Sequence, residues 1–331
     1  MKRIIAVVLS VCLLAFSLPL QSRGAGEYTY TNENGNITIT KYSGASAVCE
    51  IPDTIDGCPV TAIGDGAFRF NTTVTEVILP DSVKEIRTRA FDYCSKLSKV
   101  ALGEGVSFIG EFAFSQCISL EEIHIPDSVT SFGNCVFFGC TALRSVTLPK
   151  NIEKIAVSTF SNCKNLESID IPESVKVIGA GAFGNCVMLT EVTVPHGVTT
   201  IERNAFNGCT GLLWVSIPES VTAIDASAFT GTAPEIHGRD GSYAESFALE
   251  MGFAFTAIEE PPEETTKVGD VNGDGIVNAK DANVMKQIIA GMLQIEKESE
   301  VFSVCDLNRD ETISAKDANI LVRIIAGAEI L

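Results

Sequence analysis

Eight phenylalanines, Phe68, Phe91, Phe114, Phe137, Phe160, Phe183, Phe206 and Phe229, stand 23 residues apart with no insertion or deletion between them. Three residues after each comes a second column: Cys94, Cys117, Cys140, Cys163, Cys186 and Cys209, with Asn71 in the first copy and Thr232 in the last. Six residues after each of the first seven comes Val74 or a leucine, and nine and eleven after come pairs such as Ile123 and Ile125, or Val192 and Val194. Proline follows at Pro80, Pro126, Pro149, Pro172, Pro195 and Pro218, with Gly103 standing once in its place. Val or Ile lies three residues further on, and another aliphatic residue (Phe132 once) three beyond that. A period of this length, kept this strictly, confines the chain to a stack of similar units.

Each unit has about eight inward positions. In "LEEIHIP" the alternation predicts a short strand with Ile123 and Ile125 pointing in and Glu122 and His124 pointing out. Pro126 ends it, having no N–H for a ladder. The "AFxxC" segment reads as a tight turn or single helical turn leading back to the next strand. One unit alone buries too little apolar surface to offset the entropy of ordering its backbone. Stacking removes that deficit, because each rung covers its neighbour. The expectation is therefore a β-rich solenoid.

The template "LxxIxIPxSVxxIGxxAFxxCxxL" resembles the BspA-like leucine-rich repeats of bacterial surface and secreted proteins. The resemblance covers about residues 27–258. Residues 27–66 read as an N-terminal cap and atypical first repeat, with a hairpin turning at Asn34-Gly35. Residues 67–235 are the regular repeats. The frame breaks at Ala233, and residues 236–258 read as a C-terminal cap, a short helix and a strand over the last rung.

The N-terminus carries Lys2 and Arg3, then an apolar run from Ile4 to Leu18, then small and polar residues. This pattern predicts a secretory signal peptide, residues 1–26, and a secreted, extracellular protein. The run is short for a membrane span and no other stretch approaches one, so the mature chain is expected not to cross a membrane. Cys12 lies inside the apolar run after Val11, where a lipid-attachment motif needs a small residue. A net charge of −18 repels phosphate backbones and argues against nucleic acid as a partner. Eleven cysteines in a secreted chain suggest disulfides, but six of them recur at the repeat period. Stacked side chains point in parallel rather than toward one another, so these six read as small buried hydrophobes. Cys49 and Cys58 lie outside that column and are candidates for pairing.

The outward strand positions form two polar columns. Asp170 and Glu191 sit on adjacent rungs, and two such carboxylates would suit glycoside hydrolysis. A regular sheet face, however, offers no pocket that excludes water. No nucleophile elbow, phosphate loop or "HExxH" occurs, and the three histidines have no metal-ligand spacing. The reading is of a chain with no catalytic residues. Trp214, the single tryptophan, stands in an outward column, either as a ligand contact or packed beneath the C-terminal cap.

After an acidic, proline-containing linker at residues 259–267, the chain spells one acidic loop and apolar helix twice, 36 residues apart. Asp270, Asn272, Asp274, Ile276, Asn278 and Asp281 occupy positions 1, 3, 5, 7, 9 and 12 of the first loop. Asp306, Asn308, Asp310, Thr312, Ser314 and Asp317 fall on the same positions of the second. Oxygen donors at this alternate spacing wrap a twelve-residue loop around Ca²⁺ (Ile276 offering its carbonyl), which predicts two ions. Two features depart from an ordinary EF-hand: position 12 is Asp rather than Glu, and no helix precedes either loop. Position 6 also changes from Gly275 to Glu311. Loop then helix, twice over residues 268–331, resembles a type I dockerin, a small all-α calcium-binding domain that plugs into a cohesin module of a scaffoldin. Carried over from that family, the cohesin contacts are Ala279, Lys280, Lys286 and Gln287, and Ala315, Lys316, Val322 and Arg323.

Together these resemblances imply a secreted, non-catalytic binding or adhesion array. Its dockerin attaches it to a cellulosome-type, polysaccharide-degrading complex, and the array's own ligand is a protein or a glycan. The rival is an enzyme of the same complex, a glycoside hydrolase or peptidase. A third reading is an inhibitor or scaffold of the complex's other members.

Overall fold

The structure is a computed structural model that describes residues 23–258, 271, 279–290, 305, 307 and 312–325. The chain divides into two compact units, one up to Ile258 and one from Glu259. The first is a β-solenoid of 23-residue rungs.

Its core is the phenylalanine column. Rings of successive rungs, from Phe68 to Phe229, lie stacked with centroids 4.8–5.7 Å apart. All eight are at most 2% exposed. A 23-residue period gives this result because parallel pairing sets rung spacing near 4.8 Å, which is also a comfortable separation for offset-stacked rings. The column continues past its own repeat at both ends. Tyr42 stacks on Phe68 at 4.8 Å, while Phe247 and Phe253 meet Phe229 at 6.0 and 5.9 Å with tilted and edge-on rings.

Two ladders flank the core. The first is built from the anticipated strands, including Glu76–Ile78, Lys99–Ala101, Glu122–His124, Ser145–Thr147, Glu191–Thr193 and Trp214–Ser216. Where they pair, they do so in parallel and in register, Glu122 with Ser145 and Glu191 with Trp214. Ile123 and Ile125 are buried while Glu122 and His124 face solvent. The second ladder was not anticipated. It consists of two-residue strands such as Glu85–Ile86, Phe108–Ile109, Val177–Ile178 and Thr200–Ile201, again parallel. In sequence these are Val-x-x-Ile spacings, too short for alternation to be visible.

The turn between the ladders takes two left-handed residues in every rung but the last, which has one. One sits two positions after the phenylalanine: Phe70, Tyr93, Gln116, Gly139, Asn162, Asn185, Gly208 and Gly231, with φ between 58° and 74°. The other sits two before it, from Gly66 and Arg89 to Gly181 and Asn204. Glycine and asparagine adopt this region at little cost, and they occupy it in most of the later rungs.

At the N-terminal end, Tyr28–Glu33 and Asn36–Tyr42 form the expected hairpin, with Asn34 and Gly35 both at positive φ. Arg23–Ala25 adds a further antiparallel strand against Tyr28–Tyr30; the rest of the expected leader lies outside the described residues. At the other end, the helix Tyr243–Met251 closes the stack through Ala244, Phe247 and Ala248. Ser242 caps it by accepting from the Glu245 amide, and Glu245 reaches back to the Gly241 amide at 2.7 Å.

The second unit contains two helices, Ala279–Ile289 and Ala315–Ile325. They share a small core of Val271, Ala282, Met285, Cys305, Leu307 and Leu321.

Candidate functional site

Among the described residues of the second unit, two carboxylates are fully buried: Asp281 and Asp317, both 0% exposed. Each lies in the first turn of its helix, where the helix dipole favours negative charge. One oxygen of Asp317 accepts from the Ser314 amide at 2.9 Å and from the Ser314 hydroxyl at 3.1 Å. The Ser314 oxygen in turn accepts from the Lys316 amide at 3.2 Å. The end of the second loop is thus folded back on its own position-12 carboxylate. Burial, with Asp317's charge beside it, pushes the Cys305 thiol up to about 11. A carboxylate withdrawn from water needs hydrogen bonds, a counter-charge or a metal. The donor set of both loops is oxygen throughout, the chemistry that a hard divalent cation requires.

Thr312 is exposed and Ser314 half-buried. Asp270, Asn272, Asp274, Ile276, Asn278, Asp306, Asn308 and Asp310 lie outside the described residues. Of the cohesin candidates, Lys286, Gln287, Ala315 and Lys316 are exposed. Ala279 and Lys280 open the first helix, and Val322 and Arg323 fall within the second.

In the solenoid, the ladder does not bring Asp170 and Glu191 into one register. Glu191 pairs with Trp214, residues 168–170 belong to no strand, and both carboxylates are exposed. Trp214 is half-buried, with its ring parallel to His237 at 5.3 Å. His237 belongs to the terminal strand Glu235–Gly238, so the tryptophan packs against the cap and continues the outward column onto it. The Thr256 hydroxyl and then His237 hold the Glu235 carboxyl below the usual range.

The cysteine column carries a bond that the sequence did not reveal. Each thiol donates to the carbonyl of the phenylalanine one rung back, from Cys94 to Phe68 at 3.0 Å through Cys209 to Phe183 at 3.0 Å. Burial pushes the Cys94 and Cys140 thiols up to about 12, which removes them from nucleophilic chemistry. Cys49 and Cys58 are both free, with Cys49 beside the Tyr28 hydroxyl and Cys58 beside the Asn32 amide.

A cleft of about 520 Å³ opens in the first ladder between Lys99–Ala101 and Glu122–His124. Sequence reasoning missed it, although Gly103, the one break in the proline column, marked the rung concerned.

The model of the BspA type leucine-rich repeat region matches residues 61–189 and 178–236, and that of the type I dockerin domain matches residues 268–326. Among curated proteins none matches. Similar solved structures include the leucine-rich repeat protein of T. pallidum, 26% identical over 71% of this chain and 98% of that one, with a TM-score of 0.46. A leucine-rich repeat protein from Eubacterium ventriosum is 26% identical over 66% of this chain and 54% of that one, with a TM-score of 0.48. One from Bacteroides capillosus is 36% identical over 38% of this chain and 98% of that one, with a TM-score of 0.34. With its repeats matched across more than half its length, the chain belongs to the BspA-type leucine-rich-repeat family and carries a C-terminal type I dockerin domain.

Proposed function

We propose that this is a secreted, non-catalytic binding protein, held by its dockerin to a cohesin of a scaffoldin in a cellulosome-type complex, with the repeat array presenting a second binding surface. A type I dockerin implies a cohesin partner and calcium, and both module types are non-catalytic. Among the described residues no helix is long and apolar enough to cross a membrane. The observation that carries the reading is the pair of buried position-12 carboxylates, Asp281 and Asp317, at equivalent places in two copies of one loop.

In this reading Asp270, Asn272, Asp274, Ile276, Asn278 and Asp281 hold one calcium ion. Asp306, Asn308, Asp310, Thr312, Ser314 and Asp317 hold the other. Bound calcium neutralises three clustered carboxylates per loop, so metal binding and folding of residues 268–331 are coupled. Ala279, Lys280, Lys286 and Gln287, with Ala315, Lys316, Val322 and Arg323, then form the cohesin surface. Residues 1–26 act as the signal peptide, and residues 259–267 link array to plug.

The test is capture of the full chain on an immobilised type I cohesin, with calcium and with a chelator. Retention with calcium and release by the chelator support the reading; retention that ignores the chelator, or no capture by any type I cohesin, refutes it. Enzyme assays on polysaccharides, glycosides and casein should stay at background, and turnover abolished by Asp170→Ala or Glu191→Ala would restore the rival reading of an enzyme.

A further inference from the structure

The first ladder has no pairing between Lys99–Ala101 and Glu122–His124. In several other rungs, though not at Leu148 or Ile171, the amide after the strand donates to the next rung: Leu79 to Ala101 at 2.9 Å, Ile125 to Thr147 at 3.1 Å, Val194 to Ser216 at 2.9 Å. The Leu102 amide makes no such bond among the described residues. Gly103 stands in this rung where most others have proline. It lies so close to the preceding rung that a Cβ there would run into the carbonyl of Pro80. The rung lies close against its predecessor at this glycine and parts from its successor in hydrogen bonding.

The parting uncovers core. Val77, Leu79, Ile123 and Ile125 are at most 3% exposed, whereas their counterparts Val100 and Leu102 are only partly buried. A missing ladder alone does not do this, since the ladder also lapses around residues 168–170 while Ile169 and Ile171 stay buried. The resulting cleft has an aliphatic floor, Val100, Leu102 and Ile123, and a charged rim, Glu76, Lys99 and Glu122. None of the three rim groups forms an ion pair among the described residues.

We propose that this cleft binds an extended, basic peptide segment of a partner protein. An aliphatic side chain of the peptide covers Val100 and Leu102, a carbonyl meets the Leu102 amide, and flanking lysine or arginine faces Glu76 and Glu122. Three features select this occupant. No phenylalanine, tyrosine or tryptophan lines the cleft, whose one ring is the imidazole of His124, so it lacks the broad flat face on which a sugar stacks. Two carboxylates against one ammonium leave it acidic, within a chain of net charge −18 that draws in cations. A backbone amide without a ladder bond beside an apolar floor also gives an extended peptide a main-chain contact for affinity and a pocket for selectivity.

The proposal rests on the reading of the array as a binding module, and its test separates the two. A displayed library of random peptides is panned on the full chain. Sequences with basic residues flanking an aliphatic one should be enriched. The best of them, synthesised and titrated by fluorescence anisotropy, should bind Glu76→Lys/Glu122→Lys at least about tenfold more weakly, with circular dichroism unchanged. Glu191→Lys, further along the same outward column, should bind normally. Enrichment of acidic peptides, or binding indifferent to the double change, would overturn the cleft assignment alone. So would soluble oligosaccharides binding in place of peptides and losing affinity in the double variant. If neither peptides nor oligosaccharides bind the array, the binding-module reading falls with it.

Discussion

The thiol of Cys140 donates a 3.1 Å hydrogen bond to the carbonyl oxygen of Phe114, one rung back in the array. The same bond recurs along the column, so a residue that looks like a small hydrophobe also satisfies a buried backbone acceptor. Replacing it leaves that acceptor with one donor, the Cys117 amide at 3.3 Å, instead of two. Cys140→Ala should destabilise the array by about 0.5–1.5 kcal/mol in urea denaturation, the worth of one lost hydrogen bond, and Cys140→Ser, which keeps a donor, should cost less. Equal losses would mean that packing alone sets the cost.

The buried thiols also make stability depend on pH. Burial raises the Cys94 and Cys140 thiols from 9.0 to about 12, so between those values the unfolded chain has lost protons that the folded chain keeps. Stability is therefore full below about pH 9 and falls as pH rises toward about 12. Cys94→Ser/Cys140→Ser should flatten that decline relative to the parent. A parallel pH profile for the two proteins would contradict the assignment.

Phe137 lies mid-column between Phe114 and Phe160, with ring centroids 5.7 and 5.6 Å away. Phe137→Ala removes a ring that both neighbours stack on and leaves a cavity that the flanking rungs cannot fill. A loss of about 3–5 kcal/mol is expected, read as a lowered denaturation midpoint. Phe137→Leu, which fills part of the volume, should lose less.

Tyr93 holds φ 61° and is 47% exposed, where Asn162 and Asn185 occupy the equivalent position later in the array. Tyr93→Asn relieves a left-handed tyrosine and gives up its ring contact with Phe70. The balance should be a gain of up to about 1 kcal/mol. A clear loss would mean that the Phe70–Tyr93 pair matters more to the fold than the backbone does.

The repetition of "AKDAN" at 279–283 and 315–319 implies a plug with near two-fold internal symmetry. If either half can carry the cohesin, Lys280→Glu or Lys316→Glu alone should weaken binding only about two-fold, or about 0.4 kcal/mol. The double change should lose far more than the sum. Titration calorimetry decides, and one single variant as damaging as the double would mean one binding mode.

The period of 23, the inward set, the hairpin at Asn34-Gly35 and the twice-written acidic loop were all legible in the linear chain, because each is a local pattern repeated at fixed spacing. Rung stacking turns such a pattern directly into neighbours in space, so phenylalanines 23 apart become adjacent rings. The folded structure alone decided what depends on distances across rungs. It placed Cys140 against the Phe114 carbonyl, added a second ladder too short to show alternation, and turned Trp214 onto His237 of the cap. It also left the rung of Gly103 unpaired with its successor, with Val100 and Leu102 only partly buried. A glycine in a proline column is visible in the sequence, but the cleft beside it is a difference of packing between two neighbouring rungs, and only their three-dimensional approach settles that.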